Sequence, residues 1–111
     1  MNRTLLMLAA CAGLCACSKA QTASGPAIPL LLKDHRFTPV EIHTKAGAPF
    51  DIEVTNADGV ADEFDSDSLK REKVIAGGQK GVVHLGPLPP GRYPFMGEYH
   101  AKTAQGAVIV E

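Results

Sequence analysis

A chain of 111 residues with a formal net charge of −1 holds one domain and has no general attraction for nucleic acid or anionic lipid. Its three cysteines, Cys11, Cys15 and Cys17, all precede residue 18, which excludes a disulfide framework or a thiolate centre in the rest of the chain. Stability there has to come from packing, and any metal site from imidazole, carboxylate, thioether or backbone groups.

Met1 to Thr4 is polar with one positive charge, and Leu5 to Ala16 is apolar apart from its cysteines and Gly13. That is the shape of a secretory signal, too short to span a bilayer as a helix. Leu14-Cys-Ala-Cys17 has the form of a bacterial lipobox and predicts lipidation of Cys17. Leu8-Ala-Ala-Cys11 fits the box by residue but has too little apolar chain ahead of it. The rival is ordinary cleavage after Ala20, which leaves a soluble product. Both routes lead to the periplasm or cell envelope. Residues 1–17 are thus read as an export signal, 18–29, rich in Ala, Ser, Gly and Pro, as a linker, and 30–111 as the folded domain.

Beyond the linker come short strands separated by turn signals, with no helical period sustained for three turns. The candidates are Ile28 to Lys33, Val40 to Thr44, Phe50 to Asn56, Asp62 to Asp65, Glu72 to Ile75, Gln79 to Leu85, Arg92 to Met96 and Ala107 to Val110. Phe50, Ile52 and Val54 alternate with Asp51, Glu53 and Thr55, so one face is apolar. Ala46-Gly-Ala-Pro49, Ala76-Gly-Gly78 and Gly86-Pro-Leu-Pro-Pro-Gly91 are turns. Seven or eight strands spaced in this way predict an all-β fold, a Greek-key sandwich of two sheets. With Trp absent, Phe50, Phe64, Tyr93 and Phe95 are the expected large core residues, and Phe37 is a weaker one.

Three groups of residues could carry chemistry. Met96, Glu98 and His100 occupy every second position, so in an extended segment thioether, carboxylate and imidazole point to one side and can bind a first-row transition metal. Asp58, Asp62, Glu63, Asp65 and Asp67 crowd a stretch without a basic residue, and Asp62 and Glu63 flank the apolar Phe64. Such a run is either a solvated face or a seat for a cation, with Lys70, Arg71 and Lys73 as the alternative partners. His35, His43 and His84 read as surface histidines and weaker candidates. No Gly-x-Ser-x-Gly elbow and no phosphate-cradling glycine loop before a helix is present, which argues against hydrolase and nucleotide functions.

Gly91-Arg-Tyr-Pro-Phe-Met-Gly-Glu-Tyr-His100 followed by Gly106-Ala-Val-Ile-Val110 resembles the closing strands of the cupredoxins, in which a loop between two strands carries Cys-x-x-His. Here His100 stands in the histidine position and Gly97 in that of the cysteine. Asn56 and Asp62 resemble the Asn-x5-His pattern of the plastocyanin-like loop, with Asp62 in place of histidine. Phe37-Thr-Pro-Val-Glu-Ile, Lys45-Ala-Gly-Ala-Pro, Val54-Thr-Asn, Asp62-Glu-Phe-Asp-Ser66, Gly86-Pro-Leu-Pro-Pro-Gly-Arg-Tyr and Glu98-Tyr-His-Ala-Lys-Thr-Ala-Gln-Gly together resemble the cupredoxin-like domains found with bacterial iron permeases and in EfeO-type iron-uptake proteins. The resemblance implies a periplasmic protein that binds copper or iron and assists ferrous iron uptake, by oxidation of Fe(II) or handover to a permease. It implies a site of Asp62, Glu63, Glu98 and His100, with Met96 as a further member. Two other functions stay open: an adaptor of a transporter complex without metal, and a periplasmic copper carrier.

Overall fold

The computed structural model describes residues 25–111. The export segment, Cys17 and most of the expected linker lie outside that range. Nine strands form two sheets. The first four are β1 (Ala27–Lys33), β2 (Arg36–Thr38), β3 (Glu41–Thr44) and β4 (Phe50–Asn56). They are followed by β5 (Asp62–Ser66), β6 (Arg71–Ile75), β7 (Lys80–Leu85), β8 (Gly91–Gly97) and β9 (Gln105–Val110). One sheet has the order β2-β1-β4-β7 and the other β3-β9-β8-β5-β6. The pairs β1–β4 and β3–β9 are parallel, because the chain crosses between sheets instead of turning back within one. The all-β, two-sheet sandwich is the architecture expected from the strand pattern.

Alternation makes the core. Leu30 and Leu32 of β1, Phe50, Ile52 and Val54 of β4, and Val83 and Leu85 of β7 point into the sandwich from one sheet. Ile42, Phe64, Ile75, Phe95, Val108 and Val110 meet them from the other. Phe95 stands at the centre of an aromatic group, with Phe64 stacked on it at 5.0 Å between ring centroids and Phe37 edge-on at 5.2 Å. Phe37 is therefore a full core residue, on a strand of its own that the sequence pattern did not separate. Tyr93 is only partly buried, and its hydroxyl donates to the carbonyl of Pro89 at 2.8 Å.

Three local differences matter for the site. β1 begins at Ala27, so residues 27–29 are strand where a linker was expected. The strand in the acidic stretch runs one residue further than expected, from Asp62 to Ser66, and Lys70 turns the chain with φ of 57°. After Gly97 the chain leaves the sheet for a short 3-10 turn, Glu98–His100.

Phe95→Ala removes the ring that both other aromatics touch. A loss of about 3–5 kcal/mol is expected, measured by urea unfolding.

Candidate metal centre

The site lies at one end of the sandwich, where three segments distant in sequence converge. Asp62 opens β5 at an inward-facing position, so its carboxylate enters the end of the core and is 2% exposed. One of its oxygens, Oδ1, accepts the backbone N–H groups of Glu63 at 2.8 Å and Tyr99 at 3.0 Å. The other, Oδ2, lies 2.9 Å from Nδ1 of His100. His100 closes the 3-10 turn, and its carbonyl accepts N–H groups from Thr103 and Ala104 at 3.1 and 2.9 Å. The third segment is the two-residue turn joining β1 to β2. Asp34 and His35 have φ of 53° and 58°, the pair of positive values that a type I′ hairpin needs. This turn lays the His35 ring on that of His100, 3.7 Å between centroids and 10° from parallel.

Asp58 holds that turn in place. Its carboxylate accepts the N–H of His35 at 3.0 Å and that of Asp34 at 2.7 Å, and Nδ1 of His35 is 3.4 Å from its Oδ2. The His35 backbone bond is the main reason that the Asp58 carboxyl is held below the usual carboxylate range. Buried Asn56 positions Asp58 in turn: its side-chain oxygen accepts the Asp58 N–H at 3.0 Å, and its amide donates to the carbonyls of Val60 and Ile75. His35, Asp62 and His100 each offer a donor atom within 4.8 Å of the other two. Two donors on one ion, with bonds of about 2.0–2.2 Å, lie no more than about 4.4 Å apart. Imidazole binds through a lone pair in its ring plane, so the near-parallel rings of His35 and His100 have to unstack and tilt toward a common point to share an ion.

A family model for the cupredoxin-like domain matches residues 4–110. The chain belongs to the cupredoxin-like domain family. It is 35% identical over 83 residues to an uncharacterized protein of Rickettsia prowazekii (strain Madrid E), covering 75% of this chain and 66% of that protein. The chain thus spans just under two thirds of that relative's length. Among solved structures, it is similar to the metal binding domain of the Streptococcus pneumoniae D39 Cu(I)-exporting P-type ATPase CopA with Cu(I). That match has a TM-score of 0.66 at 19% identity and covers 83% of this chain and 92% of the other. It is also similar to auracyanin A, a "blue" copper protein of Chloroflexus aurantiacus, with a TM-score of 0.67 at 15% identity over 78% of this chain and 100% of the other. At these identities the likeness is one of fold.

Within this cupredoxin-like domain the residues at the pole do not fit a thiolate–copper centre. A Cβ at Gly97 would sit 2.7 Å from Oδ2 of Asp62, so the carboxylate already fills the space a side chain would need. Two imidazoles and a carboxylate do fit a first-row ion of borderline character, such as Cu(II), Fe(II) or Zn(II).

The structure divides the candidate residues read from the sequence. Asp62 and His100 meet at the pole, joined by His35, which the sequence reading placed among the surface histidines. Its only signal is a two-residue turn signature, Lys33-Asp-His-Arg36, between two strands. Met96, Glu98 and His100 do not share a side, because the alternation ends where β8 stops at Gly97. Glu98 swings to the outer face of the five-stranded sheet beside Glu63 and Glu72. Met96, between Asp65 and Gln105, lines a groove of about 430 Å³ on that same outer face, away from His35, Asp62 and His100. His43 and His84 lie outside the site, against Glu111 and Asp51.

Glu63 is pushed up to about 7, first by a hydrogen bond to the Glu98 carboxyl, then by desolvation and the nearby negative charges. An acid with a raised folded-state pKa favours folding when protonated, so this cluster's contribution falls as pH rises from about 4.5 through about 7. Glu98→Gln should flatten that decline. In a chelator-containing buffer its melting temperature should exceed the wild type's at pH 8, with the difference shrinking toward pH 5.

Proposed function

We propose that this protein binds a first-row transition ion through His35, Asp62 and His100 and works in ferrous iron uptake in the cell envelope, receiving iron as cargo and passing it to a permease. The single observation that carries the metal-binding part is the convergence of two imidazoles and a buried carboxylate within 4.8 Å at the pole of a cupredoxin-like fold. The motifs shared with iron-permease-associated domains supply the iron part, and the signal-like residues 1–17 with Cys17 supply the envelope location.

The residue set supports a definite chemistry. A centre without thiolate, with an anionic oxygen ligand, favours Cu(II) or Fe(III) over Cu(I). Such a preference for the higher oxidation state suits oxidation of Fe(II) or its retention after oxidation. His100 and Asp62 would supply two of the ligands through the atoms that now face each other. His35 would supply the third, oriented by Asp58 in the way that outer carboxylates commonly orient metal-bound histidines. Nδ1 of His100 must give up any proton it shares with Asp62 on binding, so affinity should weaken in acid.

A second reading rests on a different observation. All the hydrogen-bonding needs of Asp62 are met by Glu63, Tyr99 and His100, so the pole is also stable as a closed, metal-free unit. That is what an adaptor within a transporter complex would need.

Titration of the purified protein with Cu(II), Fe(II) and Zn(II) separates the two. The metal reading expects one equivalent bound at the pole. His35→Ala, Asp62→Ala and His100→Ala should each weaken binding by about tenfold or more, since losing one ligand of three costs at least about 1.4 kcal/mol. His43→Ala and His84→Ala should leave it unchanged. The Cu(II) complex should show only weak d–d absorption. Unchanged affinity in an Asp62→Ala, His100→Ala double variant, or no binding at all, would refute metal binding at the pole and move weight to the adaptor reading, and an intense blue band would refute the ligand set.

A further inference from the structure

Position 97 controls what the pole can contain. Gly97 ends β8, paired with Phe64 across the sheet, and its N–H donates to the carbonyl of Ala104 at 2.9 Å, which closes the turn carrying His100. Its φ is not in the left-handed region, so backbone freedom does not explain the glycine. Space does. A Cβ there would lie 2.7 Å from Oδ2 and 3.0 Å from Cγ of Asp62, and 2.9 Å from Cβ of Ala104. Real Cβ atoms do not approach other heavy atoms this closely. Ala104 is fully buried and part of the packed core. Asp62 is the other neighbour of that Cβ, and its Oδ2, the atom nearest to it, is the one facing Nδ1 of His100.

We infer that Gly97 is the specificity-determining residue of this centre: its missing side chain makes the space in which the Asp62 carboxylate reaches His100. Asp62 and Gly97 form one volume-coupled pair. A Cβ at 97 meets Ala104 whatever stands at 62, and it meets a carboxylate as well when Asp stands there. The donor set is therefore decided by two positions acting together, 35 residues apart in the chain and neighbours at the pole. The consequence for metal choice rests on the metal-binding reading above, whereas the steric coupling does not.

A double-variant cycle tests this on the metal-free protein. The variants are Gly97→Ala, Asp62→Ala, and the two together, compared by urea unfolding and by the ring NMR signals of His100. The contact with Ala104 is present in both backgrounds and cancels in the cycle. Gly97→Ala should raise the unfolding constant by about tenfold more in the Asp62 background than in the Asp62→Ala background. In the Asp62 background it should also move the His100 ring signals toward those of Asp62→Ala. Equal cost in both backgrounds with unmoved ring signals would overturn the inference. If Gly97→Ala alone does not fold, recovery of folding in the double variant supports the coupling. Failure of the double variant where Asp62→Ala folds overturns it. Cu(II) titration of the same proteins keeps the two ideas apart. A wild type that binds no metal sinks the metal-binding reading and leaves the stability cycle to decide the coupling. With binding, Gly97→Ala should lose as much affinity as Asp62→Ala.

Discussion

A carboxylate buried at the end of a hydrophobic sandwich is the constraint around which the functional end of this protein is organised. Removing an ion from water costs several kcal/mol even after the surroundings relax. Asp62 offsets that cost with two backbone N–H groups and an imidazole. One of the N–H groups comes from its own strand. The other, from Tyr99, and the imidazole both come from the 3-10 turn after β8, so satisfying the carboxylate also fixes where that turn lies. The turn in turn fixes His100, and the stacked ring of His35 rests on it. A single inward-facing acid in β5 therefore positions the turn after β8, and loss of the Tyr99 N–H or the His100 imidazole leaves the buried carboxylate with fewer partners.

Much of this was legible in the sequence, for a simple reason. A half-buried strand writes its period into the chain, and Phe50, Ile52 and Val54 or Phe64 and Phe95 announce the sandwich core without any long-range information. The acidic strand shows where that information stops. Asp62 and Glu63 look like one cluster in sequence, yet a period of two sends them to opposite faces. Asp62 goes into the core, where donors await it. Glu63 goes to the outside, where it meets Glu72 and Glu98, and a hydrogen bond to the Glu98 carboxyl, helped by desolvation and the nearby negative charges, raises its pKa. The same alternation misled at Met96, Glu98 and His100, because β8 ends at Gly97, and that ending depends on a bond to Ala104 across the loop. His35 was hidden more completely. Nothing local distinguishes a histidine in a surface turn from one stacked on a second histidine 65 residues later.

The chain of support behind His35 makes its position more than an accident of an exposed turn. Two consecutive residues with positive φ are costly outside glycine, and this turn has Asp34 and His35. Asp58 supplies compensation by taking both of their N–H groups, and Asn56 braces Asp58 by accepting its N–H while its own amide is held by the carbonyls of Val60 and Ile75. Asn56 is itself fully buried, where an amide without partners would be strongly destabilising. Asn56 and Asp62 each take part in three hydrogen bonds at this end of the sandwich, whereas the buried Ser66 and Asp51 lie away from it. This density of polar bracing separates the pole from the aliphatic and aromatic core.

That separation bears on what kind of centre the fold can present. A thiolate at the pole would come from the position Gly97 occupies, and there its first carbon would collide with the carboxylate. On the proposed metal-binding reading, an anionic oxygen stands in place of sulfur, in the space left by the missing side chain of Gly97. Oxygen is the harder donor, and hardness at a fixed geometry shifts preference toward more highly charged ions. The two imidazoles keep the site from becoming purely oxygen-based, as it is at the outer Glu63, Glu72 and Glu98 cluster. The inner group has its carboxylate almost fully buried and held by two backbone N–H groups and an imidazole, whereas the outer carboxylates lie on the surface beside one another. Of the two, only the inner group combines nitrogen donors with a buried anion, the mixture that the proposed transition-ion site calls for.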